Sequence, residues 1–193
     1  MIKLDGYKLI LASQSPRRRE LLAGLGFDFD IKVKPVDEDY PAEIPAHDVA
    51  GYLAKKKAQA YRTDIGKDEI VLTSDTVVIL EGKILGKPKD AAEAKSMLVA
   101  LSGKRHQVVT GICMASAHKQ VTQSDTAFVY FRALSEAEID FYIESFQPFD
   151  KAGAYGIQEW IGFVGVERIE GSFFTVMGLP LHLVYQLLKF WNT

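Results

Sequence analysis

Apolar residues recur in this chain with two rhythms, and the switches between them mark out its elements. The run at 8–12, "KLILA", predicts a short buried strand. Leu21, Leu22 and Leu25 then recur at helical spacing, which predicts a helix over 16–25 with Ser15 as N-cap and Pro16 in its first turn. Residues 27–33 alternate as a strand does. After the proline-punctuated loop "KPVDEDYPAEIP", helical periodicity returns around 47–62. "EIVLTSDTVVIL", at 69–80, is rich in β-branched residues and reads as a buried strand. "EGK" and "GKPKD" are turns, followed by a helix over 91–101 and two longer strands near 106–117 and 120–131. In "LSEAEIDFYIESF", Ser135 and Glu138 are spaced for a capping box at a helix start. "FDKAGAYGIQEW" is glycine-rich and irregular; a strand near 164–169 and an amphipathic helix in "GLPLHLVYQLLKFW" complete the pattern. Strands alternating with helices, interrupted by central hairpins, predict an α/β fold whose sheet is mixed rather than purely parallel.

Charges that fall where the periodicity asks for apolar residues narrow the search for chemistry. At roughly 100° per residue, Val49, Ala50, Leu53, Ala60 and Tyr61 share one arc of the helix at 47–62. Lys57 falls near the middle of that arc, Lys56 at its edge, and Lys55 points away. Lys57 is either a lysine snorkelling from the core's rim or an inward-facing functional ammonium. In the first helix Arg18 falls between Leu21 and Leu22, Arg17 on the flank, and Arg19 on the opposite side. Cations at a helix N-terminus oppose its dipole, so Arg17 and Arg18 there imply an anion nearby. Asp75, set among apolar β-branched residues, must meet a cation, bond nearby backbone N–H groups or lie at an exposed strand end, because an unpaired buried carboxylate costs several kcal/mol. The acidic run Asp37–Glu38–Asp39 lies in the loop after the second strand, and Lys87 in a turn.

Composition removes several classes of function. The chain has 193 residues, 48% of them hydrophobic, with a formal net charge of −2. That balance argues against a nucleic-acid binder. Lys3, Asp5 and Lys8 break any signal-peptide core, and no apolar run reaches the roughly 20 residues of a membrane span. The single cysteine, Cys113, suits core packing and a reducing compartment, so the expectation is a cytoplasmic protein with no membrane partner. The four histidines lack metal-ligand spacing, and His106 reads as structural. Neither a G-x-x-x-x-G-K-[ST] loop nor G-x-S-x-G is present. What remains has a chemical sense. Ser13, Ser15, a helix N-terminus and basic groups from separate segments could cradle an oligophosphate, while Glu38 and Asp75 could hold a hard divalent cation. That combination suits metal-assisted attack of water on a phosphoryl group.

The blocks "LASQSPRRRELL", "VDED", "LAKKKA", "SDTVV", "LGKP", "LSGKRHQVVTG", "KAGAYGIQ" and "GLPL", in this order from Leu11 to Leu181, resemble the Maf family of nucleotide pyrophosphatases. The resemblance implies a single α/β domain over 1–193, with a mixed, elongated, twisted sheet flanked by helices and two lobes around a central cleft. It implies hydrolysis of a nucleoside triphosphate to monophosphate and pyrophosphate, a divalent cation (Mg²⁺ or Mn²⁺) and a homodimer. Carried over block by block, Asp75 is the general base and Glu38 the second acidic site residue, the two together being the metal ligands. Ser13, Arg18, Lys57 and Lys87 match the family's polar and basic groups facing the phosphates. Arg17, Thr76 and Gln158 resemble the dTTP/UTP branch rather than the branch acting on 7-methyl-GTP. The chain departs from the family pattern at Ser74, where alanine is usual, at 146–148, and at Glu159, where glycine is common. The rival readings are a non-catalytic nucleotide-binding regulator of cell division, distinguished by binding without turnover, a pyrophosphatase for 7-methyl-GTP or another base, and a phosphatase that releases orthophosphate.

Overall fold

The computed structural model describes Leu4 and residues 6–191. Lys3 and Asp5, read above as interrupting a leader, lie outside the described residues. Strand β1 (Lys8–Leu11) leads into helix α1 (Pro16–Gly24), then β2 (Phe29–Ile31). A single 3-10 turn, Ala46–Asp48, opens helix α2 (Val49–Gln59). Strands β3 (Glu69–Leu80) and β4 (Lys83–Leu85) precede α3 (Ala91–Leu101), followed by β5 (Arg105–Ala115) and β6 (Gln120–Phe131). Helix α4 (Glu136–Phe146), two 3-10 turns, α5 (Trp160–Gly165), β7 (Val166–Glu170), α6 (Phe173–Met177) and α7 (Leu181–Lys189) complete the chain. The strands form one mixed sheet in the order β2-β1-β3-β5-β6-β7, with β4 on β3. β1 runs parallel to both β2 and β3, with Leu9 opposite Phe29 and Ile70, whereas β4 on β3 and β7 on β6 are antiparallel.

The expected α/β class and mixed sheet are what the chain adopts. α5 and α6 were not expected. With six and five residues they are too short to display a full apolar period, and α5 displaces the start of the expected strand at 164 to Val166. The helix expected over 47–62 stops at Gln59, and turns follow. Among the described residues, no helix is long and apolar enough to cross a membrane.

The chain divides into two compact units. The first takes the chain up to Asp75, Thr110–Asp125 and everything from Gly178; the second is Thr76–Val109 with Thr126–Met177. In the first unit, Ile10, Tyr61 and Val71 form one buried cluster, and Ala54, Ala58, Cys113 and Ala115 another. The second cluster is made of small residues because α2 lies close on the sheet. A Cβ added to Gly111 of β5 would stand 2.4 Å from the Ala50 carbonyl oxygen, so only glycine lets the two backbones meet.

The second unit has a core of its own, in which Leu98, Leu101, Val108, Val129, Ile139, Tyr142 and Ile161 are all buried. Its helix α4 begins with the expected capping box: the Ser135 hydroxyl accepts the Glu138 N–H, and the Glu138 carboxylate accepts the Ser135 N–H. Arg132, with its Nη2 2.6 Å from Glu138 Oε1, holds that carboxyl down at about 2.

His106 lies inside this unit, as a structural histidine should. Its Nε2 is 2.7 Å from the Tyr155 hydroxyl, and its ring meets Phe131 and Tyr155 edge-on. Burial lowers its pKa from 6.5 to about 4. Between those values the unfolded chain takes up a proton that the folded chain refuses, so stability is fully present above pH 6.5 and falls as the pH drops toward 4. At 1.36 kcal/mol per unit the lowering is worth about 3 kcal/mol. Urea denaturation of His106→Gln across pH 4–7 should therefore show a flatter acid limb than wild type, whatever its stability at neutral pH.

Candidate active site

The turn between β1 and α1 builds the first part of the site from local rules. Ser15 sits in extended conformation and its hydroxyl accepts the Arg18 N–H at 3.4 Å, with Pro16 in the first turn. Ser13 is buried, and its hydroxyl accepts the Ser15 N–H at 3.2 Å. Two serines thus shape a helix start whose dipole favours an anion. Arg19 is exposed, while Arg17 and Arg18 are half-buried, as the helical arc separates them.

Arg18 crosses to the sheet. Its Nε donates to the Gly178 carbonyl and its Nη1 to the Ser74 carbonyl, both at 2.8 Å. Burial lowers its pKa from the ordinary value; the Asp75 and Glu38 carboxylates oppose this, and Arg17 adds to it. The Ser74 hydroxyl donates to the same Gly178 oxygen at 3.0 Å. The hydroxyl by which Ser74 departs from the family pattern is therefore used. Sequence reading missed these anchors, because a carbonyl acceptor carries no signature in residue type.

β3 alternates its side chains between faces, and that alternation delivers Asp75 to α2. Thr73, on the same face, donates its hydroxyl to the Ala54 carbonyl of α2 at 2.7 Å. One step on, the Asp75 carboxylate accepts a hydrogen bond from Lys57. Lys57 Nζ also lies 2.7 Å from Glu38 Oε1. Its side chain is 17% exposed and that of Asp75 10%, against 44% for Glu38. Lys57 is thus inward-facing, and it joins the two carboxylates predicted for the site. Lys56 instead pairs with Asp39 at the surface, and Lys55 is exposed. The ammonium offsets the repulsion between the Glu38 and Asp75 carboxylates.

Thr76, Lys87 and Gln158 belong to the second unit. Thr76 follows Asp75 on β3 and is half-buried; Lys87 is exposed in the turn after β4; Gln158 is half-buried in the turn before α5.

Glu38 and Asp75 supply two hard oxygen donors. Among the described residues there is no group of three acidic, histidine or cysteine side chains that could hold a metal ion. Two carboxylates nevertheless fit a Mg²⁺-type cation, which keeps waters and takes further oxygens from a phosphate.

The sequence pattern of Maf-like proteins matches residues 8–191. The chain belongs to the Maf family. Among curated Maf relatives, a dTTP/UTP pyrophosphatase of Porphyromonas gingivalis is 51% identical, over 96% of this chain and 95% of that one. Another dTTP/UTP pyrophosphatase, from Bacteroides fragilis, is 50% identical over 98% of both chains. A third, from Christiangramia forsetii, is 45% identical over 96% of this chain and 95% of that one. Among solved structures, the Ham1 protein of Staphylococcus aureus matches with a TM-score of 0.48 and 16% identity, over 64% of this chain and 71% of that one.

Proposed function

We propose that this chain hydrolyses dTTP and UTP to the nucleoside monophosphate and pyrophosphate. The observation that carries this reading is the Lys57 ammonium joined to both Glu38 and Asp75, in a chain half identical to dTTP/UTP pyrophosphatases. Asp75 is the buried member of the pair and accepts the proton of a water that attacks the α-phosphorus. Ser13, Ser15 and the α1 N-terminus bind phosphate oxygens. The cationic groups of Arg18, Lys57 and Lys87 offset charge on the oligophosphate, which in phosphoryl transfer is the main catalytic contribution of a protein. A divalent cation held by Glu38 and Asp75 would supply Lewis-acid neutralisation of the same oxygens.

Arg17, Thr76 and Gln158 select the base. An amide such as Gln158 offers one donor and one acceptor, the complement of the imide edge of uracil and thymine. The substrate is a free nucleotide, in keeping with the net charge of −2. A homodimer belongs to the same family reading, and the single, buried Cys113 supports a reducing, cytoplasmic setting.

The test is a screen of nucleoside triphosphates with Mg²⁺ or Mn²⁺, scoring pyrophosphate against orthophosphate. The expected result is pyrophosphate from UTP and dTTP, lost on chelation with EDTA and restored by the cation. Tight UTP binding without turnover, or release of orthophosphate, would overturn the proposal.

A further inference from the structure

The second unit holds a buried charged network that phosphate chemistry does not use. Lys151 is 8% exposed, and its Nζ lies 2.7 Å from Asp150 Oδ1 and 3.1 Å from Glu159 Oε1. The other Glu159 oxygen accepts a hydrogen bond from the fully buried Tyr142 hydroxyl. The oxygen of that hydroxyl accepts the Gly156 N–H at 3.0 Å. Burial first, and Glu159 after it, raise the Tyr142 pKa above the ordinary range, so the phenol keeps its proton and remains a donor. One network therefore ties α4, the turn at 150–151 and both ends of the segment 156–159. A lysine this buried is expensive unless paired, and of its two carboxylate partners Glu159 is the more enclosed, its side chain 19% exposed against 59% for Asp150.

Gln158 sits inside that segment. A Cβ built on Gly156 would stand 2.8 Å from Glu159 Cδ and 3.0 Å from Gln158 Nε2. The carboxylate of Glu159 and the amide of Gln158 thus fold back over the same point of backbone, which glycine leaves open. We propose that Glu159 is a positioning residue for nucleobase selection: held by Lys151 and Tyr142, it fixes the segment 156–159 and the direction in which Gln158 presents its amide. The inference rests on the reading that Gln158 contacts the base. Orientation decides what an amide recognises. One way round, its oxygen accepts from N3–H of uracil and its NH₂ donates to O4; turned over, it pairs with the N3 acceptor and 4-amino donor of cytosine. Loosening the network lets the amide sample both orientations, and the preference between the two pyrimidines narrows.

The experiment measures kcat/KM for UTP and CTP in wild type, Gln158→Ala, Glu159→Gly, Glu159→Gln, Tyr142→Phe and Glu138→Ala, each with its thermal midpoint. Glu159→Gly and Tyr142→Phe should each lower the UTP:CTP ratio about tenfold, with kcat on UTP kept within about threefold. Glu159→Gln, which keeps an acceptor for Tyr142 but loses the charge facing Lys151, should fall between them and wild type. Glu138→Ala breaks a different ion pair on α4, with Arg132; it should lower the thermal midpoint and leave the ratio alone. If Gln158→Ala changes the ratio but the Glu159 and Tyr142 variants do not, the inference is wrong and the role of Gln158 stands. An unchanged ratio in Gln158→Ala removes both. If Glu138→Ala shifts the ratio as far as Glu159→Gly does, the effect is general loosening and the inference is overturned. Should Glu159→Gly fail to fold, Tyr142→Phe and Glu159→Gln carry the test.

Discussion

Asp75→Asn should release pyrophosphate from UTP about 10³-fold more slowly than wild type, while still binding the nucleotide. The substitution keeps the size and shape of the side chain and leaves the backbone of β3 as it is. What it removes is the capacity to take a proton and the negative charge that meets Lys57. An amide in that position could still accept a hydrogen bond from the ammonium, so the fold should survive. The expected signature is a collapse of kcat with little change in the affinity for a non-hydrolysable UTP analogue, measured by calorimetry. Glu38→Gln should cost less, because Glu38 is the more exposed of the two carboxylates Lys57 joins. Turnover near the wild-type rate in Asp75→Asn would rule Asp75 out as the base.

Gly111→Ala should cost a large part of the stability. The added methyl would meet the Ala50 carbonyl oxygen at 2.4 Å and the Gly51 nitrogen at 2.5 Å. Both are backbone atoms of α2, so no side-chain rotation relieves the contact. The helix must move away from β5, at a cost of more than about 3 kcal/mol, the upper end of what overpacking causes. Because α2 also carries Lys57, activity should fall along with stability. Urea denaturation and a UTP assay at low temperature, where the variant is still folded, check the two effects separately. A small loss of stability with full activity would show that α2 can retreat from β5 without displacing Lys57.

These two positions also show where the sequence was readable. Asp75 stood out because a carboxylate among β-branched residues breaks the pattern, and Lys57 because it falls on an apolar arc. Periodicity set Lys57 on the apolar arc, but left open whether it snorkels out or turns inward, and what it meets. Glu38 lies 19 positions away in a proline-rich loop, and no local rule brings it to Nζ. Gly111 carried no signal at all, since one glycine in a buried strand looks the same whether or not a helix backbone presses on it. The three arginines sorted as expected into two half-buried and one exposed. The grip of the Ser74 and Gly178 carbonyls on Arg18 was invisible, because every residue type offers the same carbonyl. Glu159 was visible only as a departure from a family pattern; its partners Lys151 and Tyr142 lie 8 and 17 residues away.

Taken alone, the sequence determined the alternation of strands and helices, the caps at Ser15 and Ser135, the strand at 69–80 and the few charges, Arg18, Lys57 and Asp75, that fall where the pattern asks for apolar residues. Those features follow from neighbours within a few residues, where backbone geometry and hydrophobic period act directly. Only the tertiary structure decided that Lys57 joins Glu38 to Asp75, that Gly111 must have no side chain, and that Lys151 and Tyr142 hold Glu159 beside Gln158. Each of these depends on segments brought together by the packing of the sheet and its helices, and the energy that selects them resides in contacts between residues distant along the chain.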